Sequence, residues 1–191
     1  MTVNTKAGFR PRFRRCQIGF TLLEVLISIV ILTIGLISLL GVFSMAMAAT
    51  QVAQQDLIAK QLAQETMESI VTARQTANVN WDGINNIGLG GGIFVVGLQP
   101  INQAGTDGII GTVDDGLALP EILVLPGPSG IVTGTAPPDI NMPLGNFKRS
   151  IAIAPTASGD LRSVTITIQY TTPQSVVPRT YVLSTMISQY R

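Results

Sequence analysis

Residues 20–49 read FTLLEVLISIVILTIGLISLLGVFSMAMAA, an apolar run with one charge, Glu24. About twenty apolar residues cross a bilayer as a helix. Thirty would reach about 45 Å at the helical rise of 1.5 Å per residue, longer than a lone span needs. Beyond the run, Ile58, Ala59, Leu62, Ala63, Met67, Ile70 and Val71 recur at three- and four-residue steps, with Gln61, Gln64, Glu65, Glu68 and Thr72 on the opposite arc. That spacing predicts an amphipathic helix with one face to bury. No proline lies between Arg12 and Gln99. Gly35 and Gly41 weaken a helix without ending it. One continuous helix over about 20–76 follows, roughly 85 Å long. A single domain cannot bury such a rod, so its apolar half needs lipid or neighbouring copies around it.

The chain on either side differs. Residues 1–19 hold five of the twelve basic residues, Lys6, Arg10, Arg12, Arg14 and Arg15, and no acidic one. Without them seven basic residues face eleven acidic ones, a net charge of −4. A basic head on a mildly acidic body is a topology signal that keeps the N-terminus cytoplasmic. With 46% hydrophobic and 12% charged residues, the chain is poor in charge for a soluble domain, where about 25% is usual. The absence of histidine removes the Ser-His-Asp arrangement and the commonest zinc ligand. The single cysteine, Cys16, forms no intrachain disulfide. As a lipidation site it lacks the apolar run that should precede it, since Phe13-Arg14-Arg15 stands there.

Fourteen of the nineteen glycines and seven of the eleven prolines lie between Gly83 and Gly145, so 77–146 reads as irregular, turn-rich chain. Ile93–Leu98 and Glu121–Leu125 are short enough and apolar enough to be buried strands, and Pro126–Pro138 reads as loop. Over 147–191, three runs alternate apolar and polar residues: Phe147–Pro155, Ser163–Tyr170, and the run from Tyr181 through Leu183 and Thr185 to Ile187. Turn signals at Ser158-Gly159-Asp160 and Pro173–Pro178 separate them. The expectation is a three-stranded antiparallel meander with one face against the amphipathic half of the helix. The fold class is then α+β: a leader over 1–19, a long N-terminal helix over 20–76, and a head over 77–191 with its strands in 147–191. Trp81 is expected to seal the junction of helix and sheet. Lys148 and Arg149 read as solvated strand residues.

The junction Cys16-Gln17-Ile18-Gly19-Phe20-Thr21-Leu22-Leu23-Glu24-Val25-Leu26 resembles the type IV pilin and type II secretion pseudopilin family. Its mark is a basic leader ending in glycine, then phenylalanine, then glutamate as fifth residue of the mature chain. The resemblance implies that prepilin peptidase, an aspartyl protease of the inner membrane, cuts between Gly19 and Phe20 and methylates the Phe20 amine. It implies that Glu24 guides assembly by meeting the Phe20 amine of a neighbour. It further implies an inner-membrane assembly platform and other pilin or pseudopilin subunits as partners, and nucleic acid only if the filament takes up DNA. Residues 59–70, AKQLAQETMESI, are similar to minor pilins of the pilus-modification group and minor pseudopilins.

The residues themselves agree about Glu24. An ionisable group inside a span costs roughly 2.5–3.5 kcal/mol at its centre and less near an end, so it usually has a partner. No cation lies between Arg15 and Lys60. Cleavage would create one at Phe20. The plainer reading places Glu24 at headgroup level.

Two readings from other classes stay open: a single-pass anchored binding or sensor module, and a secreted protein cleaved after Ala48, where Ala46-Met47-Ala48 fits a small-x-small site. The apolar run exceeds the usual 7–15 residues of a secretory signal. Leu89-Gly90-Gly91-Gly92 lacks the rest of any phosphate-binding pattern. The loop from Asp107 to Gly116 carries Asp107, Asp114 and Asp115 between glycines, oxygen ligands of the kind calcium takes. It resembles loops of calcium-binding extracellular proteins, and several pseudopilins hold calcium in such a loop. The same residues also suit a solvated turn.

Overall fold

The computed structural model describes residues 19–125, 140–156, 159–172 and 175–190. The basic leader through Ile18 and the proline-rich stretch 126–139 lie outside the described residues. The chain divides into two compact units, Met1–Ala46 and Met47–Arg191. Helix α1, Leu22–Gln75, contributes to both.

The first unit contributes the start of α1. Thr21 caps it: the Glu24 amide donates to Thr21 Oγ1 at 3.2 Å, and the Glu24 and Val25 amides reach the Thr21 carbonyl. Ser28, Thr33 and Ser38 each donate their hydroxyl to the carbonyl four residues back, at 2.7, 2.7 and 2.9 Å. These hydroxyls are satisfied within the helix, so they add no unpaired donor to its apolar surface.

In the second unit, α1 buries Ile58, Ala59, Leu62, Ala63, Thr66, Ile70 and Ala73. Met67 and Val71, expected on this face, are half-buried at its margin. Thr66 is buried although polar, because its hydroxyl donates to the Leu62 carbonyl at 2.7 Å. The helix ends at Gln75, with Ala77 in the left-handed region (φ 60°) and the Val79 amide closing onto the Ala73 carbonyl. Glycine normally holds that position.

The buried face of α1 shares one core with a four-stranded antiparallel sheet of order β1-β4-β5-β6: Gln99–Pro100, Phe147–Pro155, Leu161–Thr172 and Ser175–Ser188. The expected meander is therefore present as β4-β5-β6. Its register places Ile151 opposite Ile166, and Ile166 opposite Leu183. β6 starts at Ser175, so Pro178 belongs to the strand rather than the turn. β2, Ile122–Leu125, pairs with β3, Ile140–Pro143, in a separate two-stranded sheet. The expected strand at Ile93–Leu98 is not formed. Phe94 makes one isolated bridge to Asn86, and its ring is buried in the core.

Buried polar side chains hold the irregular region against the sheet. Asn86 donates to the Ile151 carbonyl at 2.8 Å and accepts from the Ile153 amide at 2.7 Å. Arg162 donates to the carbonyls of Trp81 and Ile84 and lies 4.4 Å from the Trp81 ring centroid. Arg74 approaches the same ring, so Trp81 does sit between helix and sheet.

Trp81 is the single tryptophan and reports unfolding of this unit directly. In denaturant titration of the detergent-solubilised chain, Ile166→Ala should lose about 2–5 kcal/mol, because its side chain is fully buried. Val182→Ala, on the exposed face, should lose less than about 1 kcal/mol. Ala77→Gly should instead gain up to about 1 kcal/mol by relieving the left-handed alanine.

Candidate functional site

The first candidate is the junction from Gly19 to Glu24. Gly19, Phe20 and Thr21 precede the helix in irregular chain, and Phe20 is 81% exposed. A Cβ on Gly19 would meet nothing within 4 Å, and its φ is not in the left-handed region. Nothing in the described chain requires glycine there. Glu24 lies in the first turn of α1, where the helix dipole favours a carboxylate. Thr21 and Glu24 stand in the spacing of a capping box, a signal present in the sequence and missed by the reading of Glu24 as an assembly residue alone. No basic residue lies among the described residues before Lys60.

The stretch that follows is long and apolar enough to cross a membrane, and none of its most apolar window is buried against the protein. Leu22, Ile31, Ile37, Leu40 and Phe43 are each more than half exposed. The helix continues unbroken through Ala46, Met47 and Ala48.

The second candidate is the acidic loop. The structure brings Asp107, Asp114 and Asp115 together, with one carboxylate oxygen of each within 4.8 Å of the others. They are not equivalent. Asp114 is held at about 2, below the ordinary 3.8, by the Thr112 hydroxyl and then by the Asp107 amide and the Thr106 hydroxyl. Burial pushes Asp115 up, against the pull of the Gly111 and Gly105 amides and of Arg149. Its Oδ1 accepts from the Gly105 amide at 2.9 Å and its Oδ2 from the Gly111 amide at 2.5 Å. Asp107 Oδ1 accepts from the Ile109 amide at 2.8 Å. A cation here would find Asp107 and Asp114 more exposed than Asp115, although both Asp114 oxygens already accept hydrogen bonds.

Arg149 corrects the expectation of a solvated pair. Lys148 is exposed, but Arg149 is buried on the same strand face as Phe147 and Ile151. Its Nη2 lies 3.6 Å from Asp115 Oδ2. Burial lowers its affinity for the proton, while Asp115, Glu121 and Glu65 act in the other direction.

A family profile described as the prokaryotic N-terminal methylation motif matches residues 14–40. No curated protein and no solved structure matches the chain. The motif is the type IV pilin and pseudopilin signature; it supports a pilin-like or pseudopilin precursor, and with the long apolar helix it is consistent with membrane anchoring. It implies processing by prepilin peptidase and assembly with other pilin subunits.

The depressed Asp114 value sets a pH dependence. A carboxylate whose folded pKa lies below its unfolded one stabilises the fold above the unfolded value and loses that contribution as pH falls through the folded one. Amide protection factors at Gly105–Gly116 should fall between pH about 4 and about 2, and Asp114→Asn should remove most of that acid step. Asp115 acts in the opposite sense, since its raised pKa favours the protonated fold. Removing it altogether strands Arg149, so Asp115→Ala should lower stability near neutral pH by about 3 kcal/mol, read by Trp81 fluorescence.

Proposed function

We propose that this chain is a structural, non-catalytic subunit of a type IV pilus or type II secretion pseudopilus, in a minor role. On this proposal it enters the inner membrane as a precursor with its basic N-terminus cytoplasmic and its C-terminal unit outside the cytoplasm. Prepilin peptidase cuts after Gly19 and methylates Phe20. The assembly platform then moves the subunit from lipid into a filament. Glu24 pairs with the new Phe20 ammonium of a neighbour, and apolar helix surface meets apolar helix surface. The observation that carries the reading is the Gly19-Phe20 junction opening a helix with a carboxylate in its first turn and an uncovered apolar surface. The unbroken helix through Ala48 favours it over a protein released by cleavage there.

Mass spectrometry of the membrane-extracted protein tests the processing step. The expected N-terminus is methylated Phe20; Met1 or Thr2 would support a permanent anchor, and Ala49 a secreted protein. Gly19→Val should leave the leader attached while the Trp81 unfolding transition stays in place, because the added side chain meets nothing in the described chain. Glu24→Ala should be cleaved but lost from sheared filaments, and normal incorporation would overturn the pairing. For the acidic loop we propose calcium as the cation that Asp107 and Asp114 would take. Neither heat nor a thermal shift at millimolar calcium would remove that part.

A further inference from the structure

Beside β1 and β4 lies a cavity of about 380 Å³, within the roughly 300–1,000 Å³ usual for ligand pockets. Its lining is mostly apolar, with Ile87, Val95, Pro100, Val113 and Ile151 among the walls. Of the polar residues in the lining, Arg149, Thr112 and Asp115 are deeply placed, at 4%, 5% and 7% exposed, while Asn102 is half-buried and Gln99 exposed.

Arg149 is under-provided for. A guanidinium carries five N–H donors. Among the described residues its side-chain contacts are Thr66 Oγ1 at 3.5 Å and Asp115 Oδ2 at 3.6 Å. Both are far longer than the 2.7–2.9 Å of a charge-assisted bond. A buried guanidinium with slack donors is costly, and here it borders open volume. Asn102, also in the lining, donates its side-chain nitrogen to the Asp115 carbonyl at 2.9 Å. Its Oδ1 accepts from no donor among the described residues. The cavity thus offers unused donors and an unused acceptor within apolar walls.

The charge balance selects the ligand. Asp115 offsets Arg149, and Glu121 and Glu65 act on the same guanidinium. No net positive field remains to hold an oxyanion. A neutral amide supplies what is missing, its carbonyl accepting from Arg149 and its N–H donating to Asn102 Oδ1, with an aliphatic stem along the walls. We infer that this cavity binds a neutral carboxamide or peptide group on an aliphatic stem, presented by an adjoining subunit. Only the source of that group rests on the filament reading.

The full chain in detergent micelles tests the chemistry, with propionamide and propionate as probes. Propionamide should shift the Arg149 side-chain Nε–H signal saturably, with Kd in roughly the millimolar range expected of so small a ligand. Gly116→Leu provides a control that keeps the fold. Gly116 lines the cavity, its backbone is not left-handed, and a Cβ there meets nothing within 4 Å. This variant should abolish the shift while leaving the Trp81 unfolding transition in place. Equal or tighter binding of propionate would overturn the neutral ligand, and no saturable shift with either probe would mean that the cavity holds water only. For the source, a photocrosslinking residue in place of the exposed Val113, in host membranes, should capture another pilin-type subunit. Absence of such a crosslink, with propionamide binding intact, would overturn the peptide source and assign a free small amide.

Discussion

Everything in this chain follows from apolar helix surface that it cannot cover by itself. From Leu22 to Ala46 the helix presents leucine, isoleucine, valine and phenylalanine outward, and nothing in its own unit packs on them. At about 25 cal/mol per Å² of apolar surface, leaving such a stretch in water is untenable, so lipid or other helices must surround it. The details agree with that demand. The serine and threonine hydroxyls close onto the helix's own carbonyls. The single carboxylate stands in the first turn, where a span meets its boundary.

The later part of the same helix solves the problem internally. Ala59 and Ala63 are fully buried, and such short side chains allow close approach to the sheet. β4 and β5 answer with alternating isoleucines and valine. The irregular chain between helix and sheet has little ladder of its own, so its backbone groups pair through turns and scattered backbone bonds, such as Ile87 N–H to the Phe94 carbonyl and Val95 N–H to the Gly111 carbonyl, with side chains adding to them. Arg162 reaches the Trp81 and Ile84 carbonyls from β5, and Asn86 ties the same region to the β4 backbone. The glycine-rich region is therefore held by these buried polar contacts together with Ile84, Phe94, Ile101 and Ile109, which it sends into the core.

Periodicity made the helix and the meander readable, because burial on one side imposes a period of 3.6 or of 2. The irregular region carries no period, and that is why Ile93–Leu98 read as a strand. Its apolar residues serve separate ends: Phe94 enters the core while Val96 stays exposed. Arg149 was legible by another route. It falls in phase with Phe147 and Ile151, and Arg162 falls in phase with Val164 and Ile166. Alternation outranked residue class at both positions, since the strand cannot turn one side chain outward without turning its neighbours inward. The partners that make those burials tolerable, Asp115 for one and two backbone carbonyls for the other, come from segments no local pattern connects to them. At the junction, the motif over residues 14–40 was legible because it is set by spacing along the chain, not by contact across it.

Arg149 and Glu24 both sit where water is scarce or would be, and they differ in one respect. Arg149 has its counter-charge built in, with Asp115 beside it and Glu121 and Glu65 acting from farther off. That charge belongs to the fold. Glu24 has no basic residue among the described residues until Lys60. A carboxylate near hydrocarbon that lacks an ion partner in its own chain must either stay at the wet boundary or find a cation on another molecule. On the proposed reading, a Phe20 ammonium would exist only after cleavage. An intact leader would leave Glu24 without that ammonium, and assembly on the proposed reading would then depend on processing.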